Sequence, residues 1–328
     1  MRNYRIFGSE MSPYSVKVRA YFRYKQIPFE WIIRAGVNRA EFDSLAKIPL
    51  IPLVVSPLGH VMQDSTPIIE CLEKEFPLPS IQPESVELAF LSVLLEEFGD
   101  EWANKLMFHT RWWHETDRLS ASRILGMNLE YSMGSMLEAK AQEVSDRMVG
   151  RRSFVGSSFE NAELIQGYLE SLVFKLEDHF QDRLYLFGGR PCLGDFGIAS
   201  EIYELSSDPT GAGLLRARAP NTLAWGYRML EPRNDGPFEE WESLSSTLIP
   251  VLKEVGELFL PWSAANKNAL QLNRQSFEVD LRGKKYMQKP QKYHAKSLGE
   301  LQNKFTNLTE KGNLEEILER TNCLNWLR

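Results

Sequence analysis

The chain is poor in the residues that build covalent or metal-held scaffolds. Among its 328 residues there are three cysteines, Cys71, Cys192 and Cys323. They lie far apart, are odd in number and form no C-x-x-C pair, which argues against a disulfide framework and against zinc. Histidine is scarce, and His109 and His114 lack the i, i+4 spacing that turns two imidazoles to one helix face, with no third ligand beside them. No metal site is expected. No apolar run approaches the roughly 18 residues needed to cross a bilayer, so no membrane segment is expected either. The opening Met1-Arg2-Asn3-Tyr4-Arg5-Ile6-Phe7-Gly8 turns to strand at once, without the apolar stretch and small-residue cleavage site of a signal peptide, and the expected location is cytoplasmic. Positive charge is not in excess: the net charge is −6, which points away from nucleic acid as a partner. Internal repeats and low-complexity tracts are missing as well.

What is present is enough chain for two cores. Residues 1–79 alternate short apolar runs with helical spacing: strands over Tyr4–Phe7 and Phe29–Ile33 around a helix at about 14–25, then a hairpin of Leu53–Val55 and Val61–Gln63 about Ser56-Pro57-Leu58-Gly59, then a helix from Ser65 to Glu75. Pro77, Pro79 and Pro83 interrupt helix and mark a linker, taken as 80–84. Residues 85–262 carry mostly helical spacing, with long candidates over Glu84–Arg118 and Phe159–Phe180. Residues 263–328 form an extension in which Phe277-Glu278-Val279-Asp280-Leu281 alternates like a strand before a turn at Gly283. It reads as a cover over a cleft, a longer subunit contact, or a surface-packed tail.

Ser12-Pro13-Tyr14-Ser15 lies between the first strand and the first helix, so hydroxyls sit where unpaired helix N–H groups and the positive dipole end favour an anion. Lys47-Ile48-Pro49-Leu50-Ile51-Pro52-Leu53-Val54-Val55 and His60-Val61-Met62-Gln63-Asp64-Ser65-Thr66-Pro67 follow. A strand, an S/C-P-x-S/C helix start, an apolar-Pro strand and an acid-Ser helix start, in this order, resemble the glutathione S-transferase superfamily. The resemblance implies a GST fold: an α/β thioredoxin-like N-terminal domain followed by an all-α helical domain. It implies a homodimer with glutathione as co-substrate, used in detoxification-type transfer to an apolar electrophile.

By that resemblance Ser12 is the catalytic residue, its hydroxyl donating to the glutathione sulfur so that the thiolate is favoured at neutral pH. A plain helix cap is the alternative for Ser12. Pro52 matches the family's cis-proline, leaving the Ile51 backbone to pair with the cysteinyl part of the tripeptide. Asp64 and Ser65 match the acid-Ser pair that holds the γ-glutamyl end, with Gln63 adding a contact; an ordinary cap would look the same. Leu50 stands where many members carry a lysine. Tyr14, Trp102, His109, Trp112 and Trp113 are the candidates for the electrophile pocket, against the alternative that aromatics at helical spacing form core. Cys192 and Asp195 resemble the family's buried helix start, with Cys192 in place of a hydroxyl; this is read as structural. With Ser12 and Ser15 in place of two cysteines, dithiol exchange is excluded. Two other functions stay open: a non-catalytic ligand-binding or protein-interaction member, and a glutathione-dependent isomerase, lyase or dehalogenase.

Overall fold

A computed structural model of the protein describes residues 3–130 and 133–328. The first domain runs β1 (Tyr4–Gly8), α1 (Pro13–Tyr24), β2 (Phe29–Ile33), α2 (Asn38–Leu45), β3 (Leu53–Val55), β4 (Val61–Gln63) and α3 (Ser65–Glu75). Its sheet has the order β2-β1-β3-β4, with β1 parallel to β2 and antiparallel to β3, and β3 antiparallel to β4. This is the thioredoxin-like arrangement. Strand β1 is central, so both its faces are apolar: Tyr4 and Ile6 join the main core under α1 and α3, while Phe7 faces the other way. The short helix α2, which the sequence pattern does not announce, closes that second face by setting Phe42 against Phe7, ring centroids 6.0 Å apart.

The helical part follows as α4 (Val86–Phe98), a π-helical turn at Gly99–Ala103, α5 (Asn104–Trp113), α6 (Glu115–Glu130), α7 (Ser135–Gly150), α8 (Ala162–His179), α9 (Leu193–Ser206), α10 (Pro209–Arg218), α11 (Pro220–Arg228), α12 (Trp241–Glu254), a second π-helical turn at Val255–Phe259, and α13 (Leu260–Gln271). The single long helix expected over Glu84–Arg118 is thus split. The π turn widens it, burying Asp100, Glu101 and Trp102 in succession, and His114, with extended backbone, ends α5. Glycine is needed at the π turn: a Cβ on Gly99 would lie 2.7 Å from the backbone of Gly197 in α9.

Helix α9 is the hub of the molecule, buried along nearly its whole length. Asp195 fixes its start by accepting from the backbone N–H of Cys192 and of Leu186 and from the Trp225 indole, each at 2.9 Å. The reading of Asp195 as a structural cap is consistent with those three bonds, none of which leaves the interior.

Residue 263, the expected start of the extension, falls inside α13. Beyond it come the hairpin β5 (Phe277–Leu281) and β6 (Lys284–Gln288), then α14 (His294–Thr306), α15 (Leu314–Arg320) and α16 (Leu324–Leu327). These elements are not a surface tail. Leu298, Leu301, Phe305, Leu318, Cys323 and Leu327 belong to the same apolar core as Ile6 and Leu94, and Phe305 meets Phe90 of α4 at 5.5 Å. Burial of each such large side chain is worth about 1.5–3 kcal/mol, so the extension holds the helical part together.

Candidate functional site

Strand register brings three loops to one end of the sheet. Phe7 pairs with Leu53, and Leu53 pairs with Gln63; the segment after β1 (Ser9–Ser12), the segment before β3 (Ile51–Pro52) and the segment after β4 (Asp64–Ser65) therefore emerge side by side. Ser12 caps α1. Its Oγ accepts from the Ser15 backbone N–H at 3.4 Å and lies 3.1 Å from the Ser15 hydroxyl, which donates to it. With its lone pairs met by donors, the Ser12 proton is free to donate outward, and the helix N-terminus adds positive potential there.

The Ile51–Pro52 peptide is cis. Gln63 is engaged with the 47–50 loop: its amide accepts from the Lys47 N–H at 2.8 Å and donates to the carbonyls of Ile48 and Leu50, each at 2.9 Å. Leu50 is 57% exposed. Asp64 adopts φ 77°, ψ 127°, a region costly for any residue with a Cβ, of order 1–3 kcal/mol, and its carboxylate is exposed. Ser65 is buried as the first residue of α3.

A buried ionic lock ties this end of the sheet to the helical part. Lys17 Nζ of α1 donates to Glu96 at 2.5 Å, to Asp100 at 2.7 Å and to Thr66 at 3.2 Å; Thr66, one residue after Ser65, also donates to Glu96. Burial alone would lower the Lys17 ammonium, but the carboxylates of Asp100 and Glu96 hold it above its ordinary value. Burial pushes the Asp100 carboxyl up, against the pull of Lys17. The Tyr14 hydroxyl donates to the Asp100 carbonyl at 2.9 Å, and burial keeps its phenol well above the usual range.

The other aromatic candidates are more enclosed. Trp102 is 1% exposed and packs among Tyr168, Trp262 and Tyr286. His109 Nδ1 lies 2.7 Å from the Ser157 hydroxyl, its ring stacked on half-buried Trp113. Trp112 is buried with Ala121 and Val144 in a small cluster that also takes Met11, the residue before Ser12. Of the five candidates, Tyr14 and Trp112 adjoin the Ser12 loop; Trp102, His109 and Trp113 stand apart, in or against the helical core. Among the described residues no group of His, Cys, Asp and Glu is arranged to hold a metal, and no helix is long and apolar enough to cross a membrane.

Two features of this region escape the sequence reading. Lys17 and Asp100 look like ordinary helix-surface charges, and nothing local marks them as buried. Tyr293, in the extension, donates from its hydroxyl to Asp64 Oδ2 at 2.8 Å across 229 residues of chain; no motif signals it.

Residues 6–80 match the family described as glutathione S-transferase, N-terminal domain. No curated protein sequence matches the chain. Similar solved structures include a glutathione S-transferase from Rhodospirillum rubrum F11, with 16% identity over 68% of this chain and 86% of that one and a TM-score of 0.45. Another, from Methylobacterium radiotolerans in complex with glutathione sulfonate, has 20% identity over 73% and 97% and a TM-score of 0.41. Beta-etherase LigF from Sphingobium sp. strain SYK-6 has 16% identity over 75% and 99% and a TM-score of 0.47. With a cis-proline strand, a serine-capped first helix and an acid-serine third helix inside the matched segment, residues 6–80 form a domain of the family described as glutathione S-transferase, N-terminal domain.

Proposed function

We propose that the protein is a glutathione-dependent transferase in which Ser12 favours the thiolate of glutathione, the thiol proton passing to solvent, and the thiolate attacks an electrophilic carbon of an apolar substrate, forming a thioether C–S bond as the bond to a leaving group breaks or an epoxide opens. The observation that carries the proposal is the convergence of Ser12, the cis Ile51–Pro52 peptide and Asp64-Ser65 at one end of the sheet. In it, the Ile51 backbone pairs with the cysteinyl unit, the Ser65 hydroxyl and the N-terminus of α3 hold the γ-glutamyl carboxylate, and Asp64 faces the ammonium. Lys17, Glu96, Asp100 and Thr66 keep α1 and α3 at a fixed separation, so the two ends of the tripeptide meet preset partners. The homodimer and the cytoplasmic location implied by the resemblance are part of the proposal.

Calorimetric titration with glutathione tests it. Binding in the micromolar to millimolar range, weakened in Ser65→Ala, supports the site; a folded protein that binds no glutathione refutes it. Ser12→Ala should lower turnover by roughly 10- to 100-fold, the scale of one hydrogen bond to a charged group, while changing glutathione affinity little. Unchanged turnover would remove Ser12 from the chemistry. One observation favours the non-catalytic alternative: Trp102, Trp112 and His109 are enclosed and do not line a cleft. A screen of aryl and alkyl halides, epoxides and aryl ethers with the glutathione-bound protein separates the two readings.

A further inference from the structure

The C-terminal extension enters the candidate site at one point, and it does so through a segment held at both ends. Gln291 exchanges two hydrogen bonds with Asn266 of α13, donating its N–H to Asn266 Oδ1 at 2.7 Å and accepting from Asn266 Nδ2 at 3.0 Å. Ser297, one turn into α14, donates to Glu97 of α4. Between them His294 is largely buried, with Nδ1 against Glu101 of the first π turn and its ring 5.4 Å from Trp262. Burial pushes the His294 imidazole down to about 4, and the ring serves as a packed anchor for the segment. Tyr293, the preceding residue, is thereby carried over the edge of α3, where its hydroxyl donates to Asp64 Oδ2 at 2.8 Å.

Asp64 itself stands on a backbone with φ 77° and remains exposed, so its side chain needs a partner to keep one direction. A carboxylate has two oxygens and about four acceptor positions. Tyr293 takes one position on Oδ2, and Oδ1 stays open to a second donor from solvent. The arrangement is that of a half-filled clamp: a neutral phenol on one oxygen, room for a cation on the other.

We propose that Tyr293 is a positioning residue of this site, orienting the Asp64 carboxylate toward the primary ammonium of a bound γ-glutamyl thiol, so that the extension supplies part of the recognition of that ammonium. The inference rests on the glutathione reading above. Tyr293 does not touch the reacting sulfur, and its effect falls on the choice of ligand and not on the chemical step.

The test is calorimetry of the full-length protein and its Tyr293→Phe variant with two ligands, glutathione and N-acetylglutathione, in which the ammonium is blocked. Loss of the hydroxyl should weaken glutathione roughly fivefold, the scale of a charge-assisted hydrogen bond at a partly exposed site. N-acetylglutathione should be unaffected, so the preference for the free ammonium falls by the same factor. A merely structural role would weaken both ligands equally and overturns the proposal. Unchanged affinity for both, or tighter glutathione binding because the phenol competes for Asp64, overturns it as well. Weakening by Ser65→Ala without any effect of Tyr293→Phe refutes this inference alone, whereas absence of glutathione binding by the wild-type protein refutes the glutathione reading and this inference with it.

Discussion

Replacing Lys105 by methionine should make the protein more stable at neutral pH, and the gain should shrink as the pH rises. Lys105 is 1% exposed and its ammonium has no hydrogen-bond partner among the described residues; the Trp262 ring lies 3.9 Å from Nζ. Burial lowers its pKa from 10.5 to about 7. At about 1.36 kcal/mol for each pH unit, that drop corresponds to a cost of roughly 5 kcal/mol for the charged form. The cation–π contact opposes it by about 2 kcal/mol, leaving a net cost of roughly 3 kcal/mol. The sign follows from linkage: the folded pKa is depressed, so between it and the unfolded value the unfolded chain binds more protons, and stability rises with pH through that window. Methionine has similar length, no charge, and a sulfur suited to an aromatic neighbour. Urea unfolding at pH 7 and at pH 9.5 should show Lys105→Met stabilised by about 2–3 kcal/mol at the lower pH, with the gap roughly halved at the higher. A variant no more stable than wild type at pH 7, or a gap that is the same at both values, would refute the reasoning.

Two further perturbations test the packing that positions the site. Gly256→Ala should dislodge the extension: its Cβ would overlap the Thr321 carbonyl oxygen and lie 2.7 Å from the Asn322 backbone, neither of which can rotate away, and a fall in melting temperature with earlier proteolysis beyond residue 272 would register it. Asp195→Asn should cost about 1–3 kcal/mol, because an amide NH₂ would face at least one of the three donors now satisfied by the carboxylate; chemical denaturation that leaves stability unchanged would show that the donors find other partners.

The thioredoxin-like domain was legible because its elements are short and punctuated. Pro and Gly bound the strands, and the apolar runs of Tyr4–Phe7 and Leu53–Val55 have a length that fits a strand better than a helix. The third helix announces itself by an acid-serine start. The helical part was legible in kind but not in detail. A π turn adds a residue without changing composition, so the break at Gly99–Ala103 leaves no trace in apolar spacing, and it buries Asp100 and Glu101, charges of a type that a helix ordinarily turns to solvent. Buried charges were invisible for a related reason. Lys17 is satisfied by carboxylates about 80 positions away, and Arg111 by Glu204 and Asp208; on a helix read alone each looks like a solvated surface residue. The extension combined both difficulties. Its apolar positions pack against α4 and α13, and Tyr293 has meaning only beside Asp64.

The bond between Tyr293 and Asp64 also sets an order of events during synthesis. The acid leaves the ribosome 229 residues ahead of its phenol partner. At about 5–20 residues per second that gap lasts on the order of 10 to 45 s, long enough for the first domain to form its sheet with the Asp64 carboxylate still unpaired. The nascent chain therefore carries Asp64 without its phenol partner through most of its translation, and the bond forms when the final helices settle onto α4.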